Sequence, residues 1–207
     1  MKKAPLLFFA TILLLGFLFF TLLVHFDLFT APDLFITENL QKFIPRSLDI
    51  PFSLFSLFGS FEIVLLIILI LWVLNKKLNY FYILLFFGLF HVTEILGKLF
   101  VDHPNPPFIF SRYDIFFSFP SSGVNTGSSF PSGHMGRTMF MAIILLSIIY
   151  HSKKLSRLQK KISYLVMVTI VFLMFTSRIY LGEHWLSDVL GGSLLGAAFG
   201  FLSLIFI

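Results

Sequence analysis

Six mainly apolar stretches constrain the fold of this chain more than any other feature of its sequence. A helix that crosses the hydrocarbon core of a bilayer needs about 20 such residues. The stretches therefore predict an all-α membrane protein, a bundle of six transmembrane helices in a single domain that covers residues 1–207. They lie approximately at residues 5–24, 56–74, 80–101, 135–150 (short), 163–181 and 185–207.

The composition excludes the other common classes of protein. Apolar residues make up 57% of the chain and charged residues 12%, whereas a soluble domain carries about 25% charged residues. The apolar content excludes disorder, and the absence of cysteine excludes a disulfide-stabilised scaffold. The first stretch is longer than the core of a secretory signal and ends without a small-residue cleavage site, so we interpret it as a retained span.

The basic residues predict how the chain is oriented in the membrane. Nine of the fifteen lysines and arginines lie in the first three residues, at 76–77 and at 153–161, and these segments contain no acidic residue. Because cytoplasmic loops are rich in Lys and Arg, both termini are predicted to be cytoplasmic in a bacterial plasma membrane. This explains the net charge of +5 without a nucleic-acid partner. Residues 25–55, 102–134 and 182–184 then face the outside.

Two of these outer stretches carry further information. Residues 33–44 place apolar side chains near one helical face, which is typical either of a helix in the membrane interface or of an ordinary amphipathic loop helix. Residues 103–130 are rich in Pro, Ser, Gly and Phe without sustained periodicity, and such a long loop predicts a lid or a wall of a site. The apolar side chains of the first stretch are Leu34, Ile36, Leu40, Phe43 and Ile44.

Seven ionisable residues lie within or beside the apolar stretches, all near the predicted outer ends. Such residues are costly at membrane depth and are usually functional. Their common position predicts an active site sunk into the outer leaflet. They are Glu94, Lys98, His134, Arg137, Arg178, His184 and Asp188.

His184 and Asp188 are spaced as neighbours on one helical face. If the carboxylate accepts a proton from one imidazole nitrogen, the other nitrogen is left as a free, more basic lone pair. The pair is therefore a candidate nucleophile or base with its orienting acid. The alternative is a His–Asp pair that only stabilises the start of the helix.

Phosphate-binding groups are predicted around this pair. Arg178 presents a permanently charged fork that binds phosphate oxygens, and Lys98 adds a positive charge. The sequence PSGH (131–134) puts a hydroxyl and a glycine at a helix start, where free N–H groups favour an anion, and His134 is available as a proton donor. The structural alternatives are snorkelling of Arg178 and Lys98 to the interface and an N-cap at Ser132.

These residues together predict an anion pocket with two imidazoles, one that attacks and one that protonates. The sequence contains no HExxH pattern, no carboxylate cluster of the metal-binding type and no cysteine. Neither a metal nor another cofactor is therefore predicted.

The chain resembles the type 2 phosphatidic acid phosphatase superfamily, which carries the blocks K-x6-R-P, PSGH and S-R-x5-H-x3-D. The third block is present as SRIYLGEHWLSD (177–188) and the second as PSGH (131–134). The first is KLFVDHPNP (98–106), in which Asn105 stands where the family has Arg. Two spaced patterns in the family's order make a chance match remote. The resemblance covers roughly residues 60–207.

The resemblance implies a metal-independent membrane phosphatase with a phosphohistidine intermediate. His184 would attack phosphorus, Asp188 would orient His184, and His134 would protonate the leaving group. The implied substrate is a phosphomonoester or pyrophosphate on a membrane lipid of the phosphatidic acid, phosphatidylglycerol phosphate or undecaprenyl pyrophosphate type; a glycolipid phosphate or a soluble sugar phosphate is the alternative. The non-bridging oxygens would be held by Lys98, Ser132, Gly133 and Arg178.

Two other functions use the same scaffold. A lipid phosphotransferase would pass the phosphoryl group to an acceptor other than water with the same residues. A non-catalytic lipid-binding or transport protein is favoured only by Asn105, and the intact set of His134, Arg178, His184 and Asp188 outweighs it.

The departure at Asn105 removes a positive charge from the family pattern, and two arginines are candidates to replace it. Arg112 lies in the same outer loop. Arg137 lies three residues after His134 and shares its helical face. The alternative is that Arg137 is structural and pairs with Glu94, which is also spaced to pair with Lys98.

Gly192, Gly196 and Gly200 are spaced by four residues along the last stretch. Small residues at this spacing let helices approach closely. We expect them to pack inside the bundle, and the alternative is the seam of a homodimer.

Overall fold

The structure, a computed structural model, describes residues 3–75, 80–117, 119 and 127–206. Within these ranges the chain forms eight α-helices, three short 3₁₀ turns and no β-strand, so the predicted all-α fold is confirmed. The helices are α1 (Lys3–His25), α2 (Thr30–Phe43), α3 (Asp49–Ser56), α4 (Phe61–Asn75), α5 (Tyr80–Phe100), α6 (Gly133–His151), α7 (Arg157–Tyr180) and α8 (Leu186–Leu204).

Five helices are long and apolar enough to cross a membrane, namely α1, α5, α6, α7 and α8. The predicted span 56–74 is instead a broken element, in which the segments Arg46–Gly59 and Phe61–Leu74 meet at 46°. If this bent pair is one span, the chain has the six crossings that the sequence predicts.

The break in the second span has a local cause at Gly59 and Ser60. The amide of Ile63 donates a hydrogen bond to the Ser60 hydroxyl at 3.4 Å. The carbonyl oxygen of Gly59 accepts a hydrogen bond from Arg137 Nε of α6 at 2.7 Å. At the interruption the regular helical turn is lost, and the Gly59 carbonyl oxygen instead contacts α6, the helix that carries His134.

α8 packs against α1, α5 and α6. A methyl group on Gly192 or Gly196 would overlap the backbone of Ser132 or Gly136 on α6, so only glycine permits this approach. A methyl group on Gly200 would likewise press against α6. The prediction that these glycines pack inside the bundle is confirmed, and they do not form a dimer seam.

α2 packs where α7 ends and α8 begins. The predicted amphipathic helix is present, but its inward face differs from the prediction. Asp33 is only 2% exposed, and Ile36 and Leu40 pack beside it, whereas Leu34 and Phe43 are exposed. The inward face is partly polar because Asp33 binds the start of α8.

Candidate active site

A cavity of about 630 Å³ lies where α5 and α7 end and α6 begins. Its wall also contains Leu57, Ser60, Phe61 and Glu62 of the broken span, and Tyr113, Ile115 and Phe119 of the loop after α5. The loop 103–130 therefore forms a wall, as predicted, although residues 118 and 120–126 lie outside the described residues. Of the predicted site residues, the cavity is lined by Glu94, Lys98, Gly133, His134, Arg137, Arg178 and His184.

His184 lies in the turn between α7 and α8, whereas Asp188 lies in the first turn of α8. The prediction that both belong to one helix is therefore wrong, but the turn still brings His184 Nδ1 to 3.4 Å from Asp188 Oδ2. The same carboxylate oxygen accepts a hydrogen bond from the amide of Trp185 at 2.8 Å, which fixes its position. Because Nδ1 faces Asp188, Nε2 is the ring nitrogen of His184 that is available for reaction.

The turn that holds His184 depends on Gly182. Gly182 has a φ of +67°, and a Cβ at this position would overlap the carbonyl group of Phe110. The amide of His184 donates to the carbonyl oxygen of Arg178 at 3.2 Å, which fixes the two residues relative to each other. Burial lowers the pKa of His184 below its ordinary value, and the Asp188 carboxylate acts in the opposite direction. A lowered pKa favours the unprotonated imidazole that a nucleophile requires.

Arg178 places a buried positive charge in the cavity wall. Its side chain is 1% exposed, and two of its guanidinium nitrogens, Nε and NH2, have no hydrogen-bond partner within the described part of the chain. A buried guanidinium without such partners is costly, so this arrangement favours an anion in the cavity. A side chain that snorkels to the interface would be exposed, and that alternative for Arg178 is wrong.

Lys98 lines the same cavity from the last turn of α5. Its Nζ lies 3.5 Å from the carbonyl oxygen of Ser129. Its predicted pairing with Glu94 is not formed, because the Glu94 carboxylate contacts His91 and Arg137 instead. Lys98 and Arg178 are therefore the two basic side chains of the wall that do not share this carboxylate.

Arg137 contacts three groups, and its predicted pairing with Glu94 is confirmed. Its NH1 lies 3.3 Å from Glu94 Oε2, and its Nε donates to the carbonyl oxygen of Gly59. Its NH2 lies 3.4 Å from His134 Nδ1. Because a guanidinium only donates, His134 Nδ1 accepts this contact and the proton of a neutral ring lies on Nε2. In the neutral ring, Nε2 is therefore the hydrogen-bond donor of His134.

Ser132 and Gly133 form the start of α6. Ser132 occupies the N-cap position, but its hydroxyl makes no capping hydrogen bond and is buried without a partner among the residues described. The N-cap alternative for this side chain is therefore wrong. Its amide donates to the carbonyl oxygen of Asp188 at 2.9 Å, which ties α6 to α8. A Cβ on Gly133 would overlap the Glu94 carboxylate, so this glycine makes room for the pair of Glu94 and Arg137.

Asn105 and Arg112 do not line the cavity. Asn105 is exposed on the loop, so the departure from the family pattern affects a residue outside the observed wall. Arg112 NH2 donates to the carbonyl oxygen of Gln41 at 2.8 Å, and NH1 donates to that of Ile44 at 3.3 Å. Arg112 therefore ties the loop to the end of α2, and of the two candidate arginines it is not the one that lies in the cavity wall.

A buried polar cluster behind Asp188 was missed by the sequence analysis. It consists of Asp33 of α2, His103 of the loop and Ser187 of α8. Burial raises the pKa of Asp33, and hydrogen bonds from Ser187 oppose this shift. His103 lies within the first sequence block, but Asp33 is 70 positions away from it. No spacing rule relates the two, and a polar residue in an amphipathic helix is ordinarily assigned to its exposed face.

The fold resembles solved membrane proteins. A crystal structure described as the first transmembrane PAP2 type phosphatidylglycerolphosphate phosphatase from Bacillus subtilis has a TM-score of 0.75 and 26% sequence identity, with 94% of each chain covered. A crystal structure of Aquifex aeolicus LpxE has a TM-score of 0.62 and 23% identity, with 83% of this chain and 94% of that chain covered. At that identity, the second likeness concerns the fold alone.

Sequence comparisons identify the family. Phosphatidylglycerophosphatase B of Bacillus subtilis (strain 168) is 41% identical over 75 residues, and the matched stretch spans 36% of this chain and 36% of that relative. The family model of the PAP2 superfamily matches residues 76–207, which is more than half of the chain and contains all three sequence blocks. The resemblance deduced from those blocks is thus confirmed, and the chain belongs to the PAP2 superfamily.

Proposed function

We propose that this protein is a membrane phosphatase that hydrolyses a phosphomonoester or diphosphate of a lipid through a phosphohistidine intermediate on His184. The observation that carries the proposal is the buried Arg178 guanidinium, which has two nitrogens without hydrogen-bond partners in the described structure and lines one cavity with His134 and His184. A site with buried cations, a nucleophile and a proton donor suits phosphoryl transfer, which depends mainly on positioning and charge stabilisation.

In the first step, the lone pair of His184 Nε2 attacks phosphorus in line with the leaving oxygen. A P–N bond forms and the P–O bond to the lipid breaks. His134 enters this step as an imidazolium, in which a proton on Nδ1 replaces the long contact with Arg137. It transfers its Nε2 proton to the leaving oxygen and becomes a neutral ring, so the lipid departs as an alcohol, or as a phosphate when the substrate is a diphosphate. Asp188 orients His184 and stabilises the positive charge that develops on its ring.

In the second step, His134 acts as a base because its Nε2 now lacks a proton. It accepts a proton from a water molecule, whose oxygen attacks phosphorus as the P–N bond breaks. Inorganic phosphate leaves, and both histidines return to their initial states. Only His134 changes its role, from acid in the first step to base in the second. His184 carries the phosphoryl group between the two steps.

The phosphate oxygens are held by groups from three helices. Arg178 and Lys98 supply positive charge from the ends of α7 and α5. Gly133 supplies backbone N–H at the start of α6, where the helix dipole favours an anion. Ser132 is assigned the same role because its hydroxyl is buried without a hydrogen-bond partner in the described residues.

The proposed substrate is a lipid phosphate of the phosphatidylglycerol phosphate type, with phosphatidic acid and undecaprenyl pyrophosphate as the alternatives. Phosphatidylglycerol phosphate is placed first because one relative is named for phosphatidylglycerophosphate. Many large apolar side chains are exposed on the spanning helices, which suits a substrate that reaches the site from the bilayer.

The test measures phosphate release by the purified protein in detergent from a panel of these lipids. We expect release from at least one lipid in the presence of EDTA, and loss of release in His184→Ala. His151→Ala is the matched control, because His151 is an exposed histidine at the other end of α6. A protein that releases no phosphate from any member of the panel, or a His184→Ala variant with full activity, would contradict the proposal. Transfer to an added alcohol instead of water would favour the phosphotransferase.

A further inference from the structure

Asp188 has one carboxylate oxygen that the proposed mechanism leaves unexplained. Oδ2 faces His184 and accepts the amide of Trp185. Oδ1 is buried and has no hydrogen-bond partner within the described ranges. His103 Nε2 lies 3.5 Å from Oδ1. The carboxylate of Asp188 therefore stands between two imidazole rings.

The hydrogen bonds of Ser187 decide which atom of His103 carries a proton. Asp33 accepts two hydrogen bonds from Ser187, one from the amide at 2.8 Å and one from the hydroxyl at 2.7 Å. The single hydroxyl proton is thus used, so Ser187 Oγ accepts its third contact, from His103 Nε2 at 3.0 Å. Nε2 of His103 consequently bears hydrogen, and it faces Asp33 Oδ2 at 3.6 Å as well as Asp188 Oδ1.

His103 is held in this place by its backbone and its neighbours. Its carbonyl oxygen accepts hydrogen bonds from the amide and the hydroxyl of Ser129, at 2.9 and 3.1 Å. Its ring lies edge-on to the Phe130 ring, with centroids 6.4 Å apart. Its side chain does not line the cavity, so it has no direct contact with a phosphate there.

We propose that His103 is a positioning residue for phosphoryl transfer and acts through Asp188, with Asp33 and Ser187 fixing its ring. The Nε2–H of His103 donates to Ser187 Oγ, and Nε2 itself lies 3.5 Å from Asp188 Oδ1. The positive end of this N–H dipole therefore lies beside the carboxylate and favours the orientation in which Oδ2 is directed at His184 Nδ1. This inference rests on the proposed function. It adds a second histidine–carboxylate contact behind the reacting one, contributed by α2 and the loop after α5.

The test compares two variants of His103 in purified protein. His103→Leu removes the N–H, and His103→Gln retains an N–H donor at the end of a side chain of similar length. Because His103→Leu removes the N–H dipole beside a buried carboxylate oxygen that has no hydrogen-bond partner among the described residues, we expect it to lower kcat about tenfold to hundredfold with KM nearly unchanged. His103→Gln should recover much of this loss. A loss in both variants alike, or a rise of KM alone, would overturn the proposal.

Measuring the same substitution in an Asp188→Asn protein separates a positioning role of His103 from general damage to the fold. In an Asp188→Asn protein, His103→Leu should lower kcat by less than about threefold, because the two residues act as one unit. The same large loss in both backgrounds would mean that His103 acts independently of Asp188. Thermal unfolding of His103→Leu and His103→Gln in detergent shows whether both variants fold, and His151→Gln serves as a histidine control away from the site.

The outcomes distinguish this inference from the proposed function. If the unmodified protein hydrolyses lipid phosphates and His103→Leu retains its kcat, the positioning role is wrong and the phosphatase stands. If the unmodified protein hydrolyses none of them, the proposed function is wrong and this inference falls with it.

Discussion

His134 and His184 are made chemically different by the side chains that face them. His184 Nδ1 faces the Asp188 carboxylate, which can share the positive charge of a phosphorylated or protonated ring. His134 Nδ1 faces the guanidinium of Arg137, which leaves the proton on Nε2. In the proposed mechanism, two groups of the same type thus take opposite roles because of their surroundings.

The pH dependence of Asp188→Asn tests the role of His184. Burial lowers the pKa of His184, and Asp188 opposes that shift, so removing the charge of Asp188 should lower the pKa further. His184 reacts unprotonated, so activity is lost when pH falls through its pKa. The acidic limb of kcat/KM should therefore move to lower pH in Asp188→Asn, while the plateau falls about hundredfold or more. A limb that moves to higher pH, measured between about pH 4 and 8 around the ordinary imidazole value, would contradict this assignment.

The sequence predicted several site contacts between residues close in the chain, and of the long-range contacts it predicted the pairing of Arg137 with Glu94 but missed others. His184 and Asp188 are four positions apart, and Arg137 lies three positions after His134, so their contacts follow from local geometry. The contact between Arg112 and the end of α2 spans about 70 positions and holds that arginine outside the cavity wall. No sequence periodicity contains this information.

α6 and α8 bring the two halves of the site together because their backbones approach closely. The amide of Ser132 donates to the carbonyl oxygen of Asp188, and Gly196 lies directly against the backbone of Gly136. Small residues at helix interfaces permit such approaches. The distance between His134 and His184 therefore depends on residues one to three turns away from either ring.

Gly196→Ala and Gly88→Ala form a matched pair that tests this packing. A Cβ on Gly196 would overlap the carbonyl group of Gly136, whereas a Cβ on Gly88 of α5 meets nothing within 4 Å. We expect Gly196→Ala to destabilise the protein by about 1–3 kcal/mol through overpacking. Gly88→Ala should be neutral or stabilise it by up to about 1 kcal/mol. Thermal unfolding in detergent measures both, and equal stability of the two variants would contradict the packing of α6 on α8.

The sequence was sufficient to predict that the spanning helices are present, but it did not predict the break in the second span. Stretches of apolar residues predicted α1, α5, α6, α7 and α8 from composition alone. The break at residues 57–60 lies inside an equally apolar stretch, and its stabilising contact comes from Arg137 on a distant helix. α2 was predicted from its periodicity, but the burial of Asp33 follows from a tertiary contact with Ser187.

The bundle gathers its ionisable side chains at one end, and the basic loop between α6 and α7 lies at the other. In the proposed orientation, the site end faces the outside and the basic end faces the cytoplasm. A lipid whose phosphate lies in the outer leaflet would then reach the cavity directly. Orientation therefore decides which pool of lipid the enzyme acts on.

Single cysteines test the orientation, because the chain contains no cysteine of its own. Asn105 and Lys154 are both exposed and lie in loops at opposite ends of the bundle. We expect a membrane-impermeant maleimide to label Asn105→Cys in intact cells and to label Lys154→Cys only after the membrane is permeabilised. The reverse pattern would place the site in the cytoplasm.

The central claim is the covalent intermediate on His184, and trapping it is the most direct test. The protein is mixed with a lipid substrate labelled with ³²P in its terminal phosphate, quenched in alkali, which preserves phosphohistidine, and digested for mass spectrometry. The account predicts a phosphoryl group on His184 in the unmodified protein and no label in His184→Ala. A label that persists in His184→Ala, or catalytic turnover during which no phosphoprotein forms at any quench time, would contradict it.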